Sequence, residues 1–85
     1  MNKRKFLEKL QNSQKNISYN DFVTLVKAYG FSKVGGEGSH AVYKHPIEKA
    51  TINIQNAKGQ AKPYQIKQFL AIVELHNLRL NREDD

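Results

Sequence analysis

The sequence has no cysteine among its 85 residues. That removes disulfides, thiolate zinc sites and cysteine nucleophiles, and it suits a reducing compartment. Long apolar runs are also missing: nothing approaches the roughly 20 residues of a membrane span. The basic start, Met1-Asn2-Lys3-Arg4-Lys5, leads into no apolar stretch of signal-peptide length, so the expected location is the cytoplasm, away from membranes. No His-Glu-x-x-His pattern or other useful ligand spacing exists, so neither a metal nor another cofactor is expected. Acidic residues are scarce as well. Eight Asp and Glu face fourteen Lys and Arg, giving a net charge of +6. Three of the eight acids, Glu83, Asp84 and Asp85, sit in the last residues, so the body is more basic than the total. A small basic body suits a nucleic-acid partner, although a merely solvated basic surface is the ordinary alternative.

A chain of this length makes one domain and buries only about 60–65% of its unfolded surface. Any chemistry therefore belongs on an open face or in a shallow groove. Phe6, Leu7 and Leu10 fall at helical spacing within residues 3–12, and a polar connector, Asn12 to Asn16, follows. Ser18 with Asp21 reads as a capping box opening a second helix, whose stripe is Phe22, Val23, Leu25, Val26 and Tyr29. Gly30 is placed to end it. Phe31 to Val34 and Ser39 to Lys44 read as strands around a Gly35-Gly36-Glu37-Gly38 turn, and Pro46 stops the second. Ala50 to Gln55 alternates, with Ile52 and Ile54 on one face and Thr51, Asn53 and Gln55 on the other. Residues 57–62 read as a basic loop. Pro63 opens a last helix with Ile66, Phe69, Leu70, Val73 and Leu75 on its buried side.

The order α-α-β-β-β-α predicts an α+β fold. A three-stranded antiparallel sheet carries the helices on one face, a layout similar to a double-stranded-RNA-binding domain. The expected division is an N-terminal helical extension (1–16), the main domain (17–80) and an acidic tail (81–85).

Three histidines could carry chemistry. His76 lies late in the last helix and reads as a helix-end residue near the terminal carbonyls. His45 precedes Pro46 at a strand end. His40 follows Gly38-Ser39 where a flexible turn becomes a strand, with Ser39 able to hydrogen-bond and Gly38 able to admit a close approach. An imidazole there can take the 2′-hydroxyl proton of RNA so that the oxygen attacks the neighbouring phosphorus. His40 and His45 are five residues apart on one strand, on opposite faces and about 17 Å apart, so they cannot bracket one phosphate. A single histidine helped by lysines remains. Lys33 and Lys44 on neighbouring strands, with Lys58 and Lys62 before the last helix, would form a phosphate track around it. Each of them is otherwise an ordinary solvated lysine. If Ala41 and Tyr43 face the helices, His40 lies on the open face of the sheet, which is the expected arrangement. The glycines of Gly35-x-x-Gly38 are followed by a strand, not the helix that a dinucleotide fingerprint needs.

Gly30-Phe31, Gly38-Ser39-His40, Tyr43, His45-Pro46, the strand Thr51-Ile52-Asn53-Ile54, the basic loop and the last helix together resemble the HicA family of toxin–antitoxin toxins. The likeness runs from about residue 17 to about residue 76. It implies a double-stranded-RNA-binding-like fold and metal-independent cleavage of messenger RNA. The catalytic role falls to His40, framed by Gly38 and Ser39, and a cognate HicB-like antitoxin, acidic to match this basic chain, covers the histidine. The chain departs from many members at Gly35, Gly36 and Glu37, where basic or amide residues are common, and at Ala41, where a second histidine is common. Two other readings stand beside the nuclease: a double-stranded-RNA-binding module without chemistry, and a protein-interaction domain that meets an acidic partner through its sheet. His40 after Gly-Ser is the feature that a pure binder does not need.

Overall fold

Asn2 opens the first helix, its side chain accepting the Lys5 N–H at 3.1 Å. This computed structural model describes residues 2–80; the acidic tail expected at 81–85 lies outside them. Helix α1 (Lys3–Asn12) buries Phe6 and Leu10. Helix α2 (Tyr19–Ala28) starts at Ser18, whose hydroxyl accepts the Asp21 N–H at 3.4 Å. The chain leaves α2 through Gly30 at φ +98°, a left-handed conformation that glycine adopts without a Cβ penalty.

Four antiparallel strands follow in sequence order: β1 (Ser32–Gly35), β2 (His40–Lys44), β3 (Thr51–Ala57) and β4 (Gln60–Ala61). Helix α3 (Pro63–Leu75) closes the fold, with Pro63 in its first turn. The expected α+β layout holds, with one strand more than the sequence suggested. The segment read as a loop, 57–62, is a tight hairpin. Lys58 and Gly59 both have positive φ (54° and 86°), the signature of a type I′ turn, and Ala57 pairs with Gln60 and Asn56 with Ala61. Lys58 hides the turn from a sequence reader, because a side chain at positive φ is uncommon.

All three helices pack on one side. Ala41 and Tyr43 of β2 and Ile52 and Ile54 of β3 point inward and join Phe22, Leu25, Val26, Ile66 and Phe69 in a single core that also holds Phe6 and Leu10. Phe69 sits at its centre. Its ring meets Phe22 and Tyr29 at 5.5 Å and Phe31 at 5.9 Å, all edge-to-face, the favoured arrangement for aromatic pairs. Leu75 departs from expectation and is 79% exposed. The inward stripe of buried Ile66 and Phe69 and half-buried Val73 advances by three or four residues, and Leu75, two past Val73, falls on the opposite side. Among the described residues no helix is long and apolar enough to cross a membrane.

Candidate active site on the open face of the sheet

His40 begins β2, and the turn before it is fixed by backbone bonds. The His40 N–H donates to the Glu37 carbonyl at 3.0 Å, closing a four-residue turn. Gly38 at φ +60° is its first central residue, and Ser39 has no positive φ. That is the pattern of a type II′ turn, which calls for glycine at this place. The Ser39 carbonyl accepts the Asn56 N–H at 2.8 Å, tying the turn to β3. Both bonds hold the Ser39–His40 peptide group in front of the histidine, and the pairing of Ala41 with Ile54 holds the strand after it, while the His40 side chain is exposed.

Close approach of backbone occurs at Gly36, not at Gly38. A Cβ on Gly36 (φ +119°) would lie 2.7 Å from Ala41 Cα and overlap the His40 carbonyl oxygen, whereas nothing lies within 4 Å of one on Gly38.

Alternation along β2 decides the face. Ala41 and Tyr43 are buried, so His40, Val42 and Lys44 line the side that no helix covers. The register sets His40 beside Gln55, Val42 beside Asn53 and Lys44 beside Thr51. Ser32 stands next to Lys44 on β1. This face carries no Asp or Glu on β1 to β3, so a polyanion laid on it meets no like charge there.

Gln55 is bonded to Gln65 through its backbone. β4 ends at Ala61, so the Gln55 N–H has no strand partner; it donates to Gln65 Oε1 at 2.7 Å. Gln65 is itself only 3% exposed. The outward-facing N–H also makes His40 and Gln55 a pair without mutual hydrogen bonds, in which Cα atoms come within about 4.5 Å and side chains are close.

The four candidate lysines divide. Lys44 shares the face of His40, about 13 Å along the strand. Lys62 precedes α3, and its carbonyl accepts the N–H of Gln65, which brings it beside Gln55. Lys58 occupies the tip of the β3–β4 hairpin. Lys33 pairs with the inward-facing Tyr43, which puts it on the helix side of the edge strand, away from His40.

The other two histidines are engaged within the fold. His45 is 9% exposed. Its Nδ1 accepts the N–H groups of Ile47 (3.2 Å) and Glu48 (3.0 Å), its ring meets Phe31 edge-on at 5.3 Å, and its Nε2 would lie 3.1 Å from a Cβ on Gly30. It caps the β2–β3 turn and packs against the end of α2. His76 follows α3 and pairs with Glu48 through Nδ1 at 3.3 Å, tying the helix end to the same turn. Among the described residues no three His, Asp or Glu side chains gather where a metal could bind.

The family model described as the HicA toxin of bacterial toxin–antitoxin systems matches residues 19–75. The chain belongs to the HicA toxin family. The match takes in α2, the whole sheet and α3, and leaves α1 outside it. No curated protein and no solved structure matches the chain.

Gln55, Gln65 and Gly36 escaped the sequence reading as parts of the site. Gln55 was visible on the outer face of its strand, but only the register sets it beside His40. Gln65 carries no sequence signal beyond a polar residue on the inner side of an otherwise apolar helix stripe.

Proposed function

We infer that this HicA-family chain is a metal-independent endoribonuclease that cleaves messenger RNA, with His40 as its general base and an antitoxin as its inhibitor. The observation that carries the reading is the presentation of His40. It is exposed on a sheet face whose strands carry no carboxylate, and its backbone is held by the turn before it and by β2–β3 pairing after it.

The imidazole accepts the proton of a 2′-hydroxyl. The freed oxygen forms a bond to the adjacent phosphorus, the P–O5′ bond breaks, and the 5′-oxygen takes up a proton from the protonated imidazole or from water. The products are a 2′,3′-cyclic phosphate and a 5′-hydroxyl. Lys44 and Lys62 neutralise phosphates on either side, with Lys58 further along the track. Positioned proton transfer and fixed charges are the two contributions that a site this shallow can make.

An open site and a net charge of +6 leave restraint to a partner. An acidic antitoxin of the HicB kind that covers His40 and contacts Lys44 and Lys62 blocks RNA by occlusion, and charge complementarity speeds its association. The test of the chemistry is a pair of RNAs that differ only by a 2′-deoxy nucleotide at the cut. The all-ribose substrate is expected to give a cyclic phosphate end and the deoxy substrate to resist. Equal cleavage of both would overturn the 2′-hydroxyl route.

A further inference from the structure

The sequence has four Phe and four Tyr, and one of these eight rings lies in the open. The four Phe, Tyr29 and Tyr43 are buried in the core and Tyr19 packs against it, but Tyr64 is 61% exposed. Core packing gives no reason for an aromatic there. Yet the ring is not loose. Gln65 Nε2 donates to the Tyr64 hydroxyl at 3.3 Å, and the same amide takes the Gln55 N–H on its oxygen. Gln55 is the cross-strand neighbour of His40. One buried amide therefore ties the exposed phenol to the residue beside the candidate base. Pro63, with its fixed φ, holds the backbone just before it, and Lys62 precedes that.

We propose that the Tyr64 ring is a stacking platform for an unpaired nucleobase next to the scissile phosphate, so that the substrate delivered to His40 is single-stranded RNA. The proposal rests on the RNA-cleaving reading of His40. An exposed phenol pinned at its oxygen has few rotamers left to lose when a base covers it. Stacking tolerates any base, since each presents a π-face, and it needs a base that is free of its own duplex. Lys62, two residues before Tyr64 at the start of the same helix, would meet a phosphate of the bound strand.

The chain contains no tryptophan, so Tyr64→Trp supplies a single fluorescent reporter at the platform. In a His40→Ala background, which leaves the substrate uncut, short single-stranded RNA is expected to quench this fluorescence. The same sequence as a duplex should do so far less, and an abasic nucleotide at one position should abolish the quenching. In the cleaving protein, Tyr64→Ala is expected to raise KM on the order of tenfold while kcat changes little, because stacking holds ground state and transition state alike. Tyr64→Phe, which keeps the ring but loses the hydroxyl held by Gln65, should raise KM by less than Tyr64→Ala does. Unchanged tryptophan fluorescence with an RNA seen to bind by anisotropy would overturn the platform, as would an unaltered KM in Tyr64→Ala. Quenching by RNA that the wild-type chain never cuts would sustain the platform and overturn the reading of His40. If RNA is neither bound nor cut, both fall.

Discussion

Gly36 lies against the backbone of His40 so closely that a Cβ there would overlap the histidine's carbonyl oxygen. The strand carrying the candidate base is thus set by a glycine four residues before it. Gly36 also has φ +119°, which side chains rarely adopt. Gly36→Ala is expected to destabilise the protein by about 2–4 kcal/mol, combining backbone strain with steric displacement of β2. Gly35→Ala, with nothing within 4 Å of the added carbon, is expected to be close to neutral. Urea melts of the two variants check this pair; equal stabilities would mean that the turn yields and that Gly36 does not position His40.

His45 caps the β2–β3 turn. His45→Ala removes the acceptor of two backbone N–H groups and a ring packed on Phe31, and should cost about 2–4 kcal/mol. Cleavage per folded molecule, measured well below the melting temperature, should remain within a few-fold of wild type. A fully folded but inactive His45→Ala protein would return His45 to the chemistry.

The two sides of the sheet predict different lysine effects. Lys44 shares the face of His40 and Lys33 does not. Lys44→Ala is expected to weaken RNA binding across all sequences and to make the slope of log affinity against log salt shallower by roughly 0.7–0.9. Lys33→Ala should leave that slope unchanged. Binding isotherms at several salt concentrations decide it, and equal effects from the two lysines would show that RNA does not follow the open face.

Burial of the Tyr29 and Tyr43 side chains raises their pKa values above the ordinary 10.0, against a smaller lowering by Arg4 at Tyr29 and with a further rise from Tyr19 at Tyr43. The folded state therefore holds these phenolic protons more tightly than the unfolded chain does. The resulting stability is fully present below about pH 10 and is lost as pH rises through the folded values. Thermal melts from about pH 8 to about pH 11 should show this fall, and Tyr43→Phe should reduce its steepness. A wild-type fall that Tyr43→Phe leaves unaltered would assign the alkaline loss to other groups.

Much of the fold was legible because local signals agreed with each other. The Ser18 cap, the Gly30 stop and the Pro63 start mark α2 and α3 as the structure has them. The alternation of Ile52 and Ile54 against Thr51, Asn53 and Gln55 gave the inner and outer faces of β3. What stayed hidden depends on pairing between distant segments. The β3–β4 hairpin turns on a lysine in a left-handed conformation. The neighbours of His40 follow from a register that no local pattern states. The burial of His45 depends on Phe31 and Gly30 meeting it from the end of α2. His40 itself stood out only through its Gly-Ser lead-in, and the side of the sheet it occupies was settled by the burial of Ala41 and Tyr43.

RNA cleavage by wild type and His40→Ala, compared in excess chelator with end-group analysis of the products, tests the central claim most directly. The wild-type chain is expected to cut and to leave 2′,3′-cyclic phosphate ends with chelator present. His40→Ala, folded and melting as the wild type does, should be slower by a factor on the order of 100 to 10,000. Full activity in His40→Ala, or wild-type activity abolished by chelator and restored by a divalent ion, would contradict the account.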